Sequence, residues 1–236
     1  MYALVLAGGK GERLRPLTSD RPKPMILLDG RPILEYQLEW LRGEGVTDVV
    51  LLCGYLHQVI SDHFGDGARW GLRIAYSVES EPLGRGGAFK KSFELVPPDV
   101  PFVIGTNGDN VTEQTLAPLI RSHRRTGAVA TIMLAPMVSP FGIARTGRGS
   151  RIQGFDEKPC LPYWLNAGVY VLKREFFEGL PDRGDHETTL FPRLAECGRL
   201  SGYKSHAYWK GIDTLKDLAE VKAHLKESLK AKGAAP

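Results

Sequence analysis

The chain opens on a short apolar run, residues 2–6, that breaks at once into Ala7-Gly8-Gly9-Lys10-Gly11-Glu12-Arg13-Leu14, with Pro16, Pro22 and Pro24 close behind. No other feature constrains the fold as much. A run so short and apolar reads as a buried strand. Backbone approaches an anion closely only where side chains are absent, and successive N–H groups there form an anion-binding concavity. A glycine cluster at the carboxyl end of a strand is therefore a phosphate-binding position in an open α/β sheet. Two familiar phosphate loops do not fit. The P-loop requires a Gly-Lys-Ser/Thr ending, which is missing. The dinucleotide fingerprint requires a third glycine and an immediate helix. Leu14 stands where that glycine would be, and the prolines prevent a regular helix from following, which argues against a dehydrogenase. The segment is expected to stay extended through residues 17–20 and to reach Arg21-Pro22-Lys23-Pro24-Met25. Lys23, held between two prolines, and Arg13 are placed to neutralise a polyphosphate.

Beyond this loop, short apolar runs alternate with amphipathic stretches. Strands are predicted at 49–53, 72–78, 102–105 and 129–135, and helices at 32–43, 56–64, 86–95 and 113–126. This β-α-β-α order predicts an α/β class: a Rossmann-like, mixed but mostly parallel central sheet with helices on both faces. After residue 136 the pattern changes to short strands at 141–145, 151–155 and 167–172, separated by Gly/Pro turns. Residues 213–230 carry Leu215, Leu218, Val221, Leu225 and Leu229 at helical spacing, and 233–236 read as a frayed tail. No internal repeat or hexapeptide array is present. A chain of 236 residues, 42% hydrophobic, suits a single domain spanning 1–236.

The formal charge of +4, from 31 basic and 27 acidic residues, is too mild for a nucleic-acid binder. Cys53, Cys160 and Cys197 form neither a disulfide framework nor a zinc pattern, which points to a reducing compartment, and Cys53 in its apolar run is expected in the core. The N-terminus lacks a signal peptide's basic start, and no stretch is long enough to span a bilayer. The expected location is cytoplasmic, with no membrane partner. The histidines at 57, 63, 123, 186, 206 and 224 sit in no motif and are expected to be structural or exposed.

Asp109 lies in Thr106-Asn107-Gly108-Asp109-Asn110, just past a predicted strand, where such sheets place ligand residues. Chemistry on phosphates usually needs Mg²⁺, held by one or two carboxylates plus substrate oxygens. Asn-Gly-Asp-Asn is equally ordinary turn chemistry, so the segment alone leaves both readings open.

The twenty residues LAGGKGERLRPLTSDRPKPM resemble the signature of sugar-1-phosphate nucleotidyltransferases, the GT-A-like family of NDP-sugar pyrophosphorylases. Related motifs recur almost to the C-terminus. The resemblance is nearest to mannose-1-phosphate guanylyltransferase-like and glucose-1-phosphate cytidylyltransferase-like members. It implies the reaction NTP plus sugar 1-phosphate giving NDP-sugar plus pyrophosphate, with residues 1–110 mainly holding the nucleotide and 111–236 mainly the sugar phosphate. Arg13 and Lys23 would be the catalytic cations. Leu6, Ala7, Gly8, Gly9, Gly11 and Gly108 would line the nucleotide site. Asp109 matches a metal-binding aspartate of the family, which implies Mg²⁺. Many relatives end in W-x-D-I-G-T, whereas this chain has Trp209-Lys210-Gly211-Ile212-Asp213-Thr214. Asp213 is then the replacement metal ligand, and it also suits the cap of the terminal helix. A sugar-nucleotide sensor without catalysis remains the alternative class, because of this displacement.

Gly154-Phe155-Asp156-Glu157-Lys158-Pro159 resembles the family's F-x-E-K-P segment, and Asn166-Ala167-Gly168-Val169-Tyr170 its N-A-G-x-Y strand. By this likeness Glu157 grips the sugar, Lys158 the 1-phosphate, and Asn166 and Gly168 form the sugar pocket with Phe141 and Gly142. Glu187 matches a family glutamate. The stretch from Ser77 through Glu79, Pro82, Leu83, Gly84 and Arg85 to Ala88 resembles the base-reading loop, with Arg85 where a small residue is more usual. A carboxylate at Glu79 only accepts hydrogen bonds, which suits guanine N1–H and N2–H₂ or the cytosine amino group. GTP is favoured, then CTP, then UTP or dTTP. Relatives in this family are often homo-oligomers.

Overall fold

The computed structural model describes residues 1–233. Of the tail expected at 233–236, Gly233 belongs to the last helix and 234–236 lie outside the described residues, as does the side chain of Leu229. The elements in chain order are β1 (Tyr2–Leu6), β2 (Leu27–Leu28), β3 (Arg31–Pro32), α1 (Ile33–Gly43), β4 (Asp48–Cys53), α2 (His57–Phe64), β5 (Arg73–Val78), α3 (Gly84–Phe93), β6 (Phe102–Asn107), β7 (Asn110–Thr112), α4 (Leu116–Thr126) and β8 (Ala130–Val138). They continue with β9 (Ile143–Thr146), β10 (Ile152–Asp156), β11 (Cys160–Lys173), α5 (Arg174–Glu178), α6 (His186–Glu196), β12 (Leu200–Lys204), β13 (Trp209–Gly211) and α7 (Leu215–Gly233).

A seven-stranded sheet in the order β12-β8-β11-β6-β1-β4-β5 forms the centre. Only β11 runs against its neighbours β6 and β8; the other pairings are parallel. This is the predicted mixed, mostly parallel sheet. Both faces are covered, so the central strands β1 and β4 are apolar at nearly every position rather than at alternate ones. In β1, Ala3 and Val5 join one core cluster while Leu4 joins the other; in β4, Val49, Leu51 and Cys53 face one way and Val50 and Leu52 the opposite way. The first cluster takes Leu34, Leu38 and Leu41 of α1, Ile60 and Phe64 of α2 and Leu119 of α4. The second takes Phe89 of α3, Phe176 of α5 and Leu190 and Leu194 of α6. A third, smaller cluster joins Leu14, Ile26 and Ile33 to Ile212 and to Val221 of α7, so the terminal helix is fastened to the start of the chain.

Several expectations are corrected. Residues 17–20 are not extended but turn, with Leu17 N–H donating to Leu14 O at 2.9 Å and Ser19 N–H to Pro16 O at 3.1 Å, and 3₁₀ turns form on either side at Glu12–Leu14 and Lys23–Met25. The helix expected from 113 begins at Leu116, because residues 110–112 form β7 and pair with β13. The helix expected from 86 begins at Gly84, since its first amides find acceptors on another segment: Arg85 N–H donates to Asp185 Oδ1 at 2.9 Å and Gly86 N–H to Gly184 O at 2.8 Å. The strand expected at 167–172 is the second half of β11, whose first half pairs with the end of β8. α6 and β12 were outside the expectation; Pro192 inside α6 hides the spacing of His186, Leu190 and Leu194. Leu215, assigned to the apolar stripe of α7, is exposed, whereas Val221 is fully buried. Cys53 is in the core as expected, and burial pushes its thiol up to about 12. No helix among the described residues is long and apolar enough to cross a membrane.

Candidate active site

Parallel pairing of β1 with β6 puts Leu6 beside Asn107, so the glycine loop and the 107–110 turn leave the sheet together. Gly108 N–H donates to Leu6 O at 2.8 Å and closes that contact. The ladder between β7 and β13 then pairs Gly211 with Asn110, and Ile212 N–H donates to Asp109 O at 3.1 Å. This register carries Asp213, more than a hundred residues away in sequence, to Asp109.

Lys23 reaches the same point from the other side. Its backbone N–H donates to Gly9 O at 3.1 Å. Gly11 makes the approach feasible: it has φ +64°, and a Cβ there would lie 2.9 Å from Lys23 Cβ and from Thr18 Cγ2. The Lys23 ammonium lies 2.5 Å from Asp109 Oδ2 and 2.6 Å from Asp213 Oδ1, and Arg13 Nη2 lies 2.8 Å from the same Asp213 oxygen. Burial opposes the Lys23 charge, but the two carboxylates outweigh it and hold its pKa above the ordinary lysine value. Lys23 is the enclosed member, its side chain 12% exposed against 72% for Arg13.

Asp213 does not cap α7. Thr214 and Asp217 do: Thr214 N–H donates to Asp217 Oδ2 at 2.8 Å, and Asp217 N–H to Thr214 Oγ1 at 3.2 Å. The Asp213 carboxylate is left to face Lys23. Among the described residues no group of three or more His, Cys, Asp or Glu side chains is placed to hold a metal ion. Two hard carboxylates converging on one ammonium do suit a magnesium-like ion that completes its shell with substrate oxygens and water.

These groups open on a cavity of about 610 Å³. Its wall includes Leu6, Gly8, Gly9, Arg13, Lys23, Glu79, Pro82, Gly84, Asp109, Asn166, Gly168 and Asp213. Glu79 is fixed at one side, where Leu83 N–H donates to its Oε2 at 3.0 Å. Opposite, Asn166 Nδ2 donates to Glu187 Oε1 at 2.9 Å, and Gly168 N–H donates to Asn166 Oδ1 at 2.9 Å. Gly168, at φ +66°, has no room for a Cβ beside the Asn107 amide. Asn107, Asn110, Trp209, Arg85 and Asp185 also line the cavity and were not singled out as site residues; only the unusual arginine in the base-reading loop gave a signal.

Seven expected site residues stand off this wall for three different reasons. Ala7 is fully buried and its N–H is spent on Leu52 O, 2.8 Å away. Phe141, Gly142, Glu157 and Lys158 sit at the base and ends of the two-stranded β9–β10 arm, and Phe141 is 74% exposed. Gly142 and Glu157 are brought together, since a Cβ on Gly142 would lie 2.8 Å from Glu157 Oε2, but away from the cavity wall. Gly11 and Gly108 act from behind it, through Lys23 and Leu6. None of the six histidines lines the cavity.

A family model described as nucleotidyl transferase matches residues 2–228. The chain is 36% identical over 231 residues to a mannose-1-phosphate guanylyltransferase of Mycobacterium tuberculosis, matching 94% of this chain and 64% of that protein. It is 34% identical over 230 residues to the D-glycero-alpha-D-manno-heptose 1-phosphate guanylyltransferase of Aneurinibacillus thermoaerophilus, matching 95% of this chain and 98% of that one. The crystal structure of HddC from Yersinia pseudotuberculosis superposes with a TM-score of 0.77 at 25% identity, covering 95% of this chain and 99% of the other. The chain thus spans somewhat less than two thirds of the mycobacterial relative and nearly all of the heptose one. The chain, with a glycine loop, an enclosed lysine and two carboxylates at one end of its sheet, belongs to the nucleotidyl transferase family.

Proposed function

We propose that this chain transfers a nucleoside monophosphate from an NTP, with GTP preferred, to a sugar 1-phosphate, forming an NDP-sugar and pyrophosphate. The observation that carries this reading is the meeting of Lys23, Arg13, Asp109 and Asp213 at the mouth of the glycine loop. A phosphate oxygen of the sugar 1-phosphate attacks the α-phosphorus, the bond to the β-phosphate oxygen breaks, and pyrophosphate leaves with that electron pair. Little covalent work falls to the protein, so positioning and charge neutralisation dominate. Lys23 and Arg13 stabilise charge building on the α-phosphoryl oxygens and the leaving group. Gly8 and Gly9 let the backbone approach the phosphates. Asp109 and Asp213 would hold Mg²⁺, which on binding supplies neutralising charge for the polyphosphate.

The base faces Leu6, Glu79, Pro82 and Gly84. Glu79, already fixed by the Leu83 amide, accepts from guanine N1–H and N2–H₂, and the names of the two guanylyltransferase relatives support this choice. The sugar faces Asn166 and Gly168, so residues 1–110 mainly serve the nucleotide and the later residues the sugar phosphate. Glu157 and Lys158 approach from the β9–β10 arm. Pyrophosphate release with Mg²⁺ and mannose 1-phosphate is to be measured for GTP, CTP, UTP and dTTP. GTP gives the fastest release. Faster release with UTP or dTTP overturns the role of Glu79, and nucleotide binding with no release from any of the four makes the chain a sensor.

A further inference from the structure

We infer that Arg85 is a positioning residue for the sugar side of the cavity, acting through Glu187 on Asn166. The inference rests on the proposed reaction. Arg85 stands in the first turn of α3, directly after the base-facing Gly84, yet its partners belong to the start of α6. Its Nε and Nη2 donate to the two oxygens of Asp185 at 3.2 and 3.3 Å, and its Nη2 also lies 2.6 Å from Glu187 Oε2. The backbone repeats the link: Arg85 N–H donates to Asp185 Oδ1 and Gly86 N–H to Gly184 O, while Gly184 N–H returns to Leu83 O at 2.8 Å. The other oxygen of Glu187 accepts from Asn166 Nδ2, and Tyr170 OH lies 3.5 Å from it. Asn166 in turn holds the Gly168 amide at the wall.

Glu187 thus has one oxygen held by Arg85 and the other holding Asn166. A carboxylate gripped on both sides cannot swing, and a planar guanidinium supplies that grip better than an ammonium group. Without Arg85, Glu187 has only Asn166 and Tyr170 as fixed partners, and Asn166, still held by Tyr170 OH at 3.1 Å and by the Gly168 amide, loses the fixed carboxylate on its Nδ2. Lys23, Asp109 and Asp213 make no contact with this chain of groups, so the chemical step itself is unaffected.

Arg85→Met and Arg85→Lys are to be compared with the native chain, using GTP and mannose 1-phosphate as probes. Arg85→Met raises KM for mannose 1-phosphate about tenfold, the loss expected for one charge-assisted hydrogen bond. KM for GTP and kcat stay within about threefold of native, and Arg85→Lys recovers part of the loss. An unchanged KM for the sugar phosphate, or KM for GTP rising equally, overturns the inference. A crystal structure of Arg85→Met reads the same claim without substrate: Glu187 parted from Asn166 supports it, and an unmoved pair overturns it. A native chain that releases no pyrophosphate defeats the proposed reaction and leaves that structure to decide the inference.

Discussion

The two regions expected to touch substrate are built differently. The Lys23–Asp109–Asp213 centre hangs on the ends of β1, β6 and β13, which are tied into paired strands and buried clusters. The β9–β10 arm, carrying Phe141, Gly142, Glu157 and Lys158, is a separate two-stranded sheet with Phe141, Ile152 and Phe155 exposed. A group on the first region is placed by the fold with or without a ligand. A group on the second rests on a two-stranded pairing, tied at its base by Ser139 N–H to Pro159 O, with exposed apolar side chains around it. The centre should therefore carry the chemistry and the arm the affinity for sugar.

The largest expected effect tests the centre. Lys23→Ala removes the enclosed cation of this centre, and kcat falls on the order of a thousandfold while circular dichroism stays native. Asp109→Ala and Asp213→Ala follow, each lowering turnover at least about a hundredfold. Near-native turnover in either removes that residue from the metal site.

Outside both regions the core carries a buried imidazole, His186, packed against Phe89, Phe176 and Phe191, and burial pushes it down to about 4; His123 is held similarly low. A folded pKa below the unfolded one means that this stability is complete above about pH 6.5 and is lost as pH falls from there through about 4. His186 alone accounts for on the order of 3 kcal/mol of that loss. Urea midpoints at pH 7 and pH 4.5 check it: His186→Leu flattens the fall, and a slope equal to native contradicts the account.

The arm gives smaller numbers. Glu157→Gln raises KM for the sugar 1-phosphate about tenfold and leaves KM for GTP unchanged, because a single hydrogen-bonding charge is lost. An unchanged KM shows that the arm takes no part. Phe141→Ser, at a 74% exposed position, shifts stability by less than about 0.5 kcal/mol in a thermal melt.

The same contrast explains what was legible in the sequence. The parallel strands β1 and β4 were readable because burial on both faces makes them almost continuously apolar, whereas β12, with Ser201, Gly202 and Lys204, was not. The glycine loop was readable because three glycines in four positions follow a strand, with Gly11 at φ +64°. Asp109 was readable from its place after a strand. Asp213 could be read only by likeness, since its arrival depends on the β7–β13 register, and β7 and β13 are too short to leave a periodic signal. Its expected capping role was wrong because Thr214 and Asp217 do that work. The Arg85–Asp185–Glu187 chain joins residues about a hundred apart, and only the unusual Arg85 hints at it locally.

Labelled GTP tests the central claim most directly. With mannose 1-phosphate and Mg²⁺, α-labelled GTP should place its label in a sugar nucleotide and γ-labelled GTP in pyrophosphate, and both transfers should vanish in Asp109→Ala. Label appearing in orthophosphate, or transfer surviving unchanged in Asp109→Ala, would contradict the account.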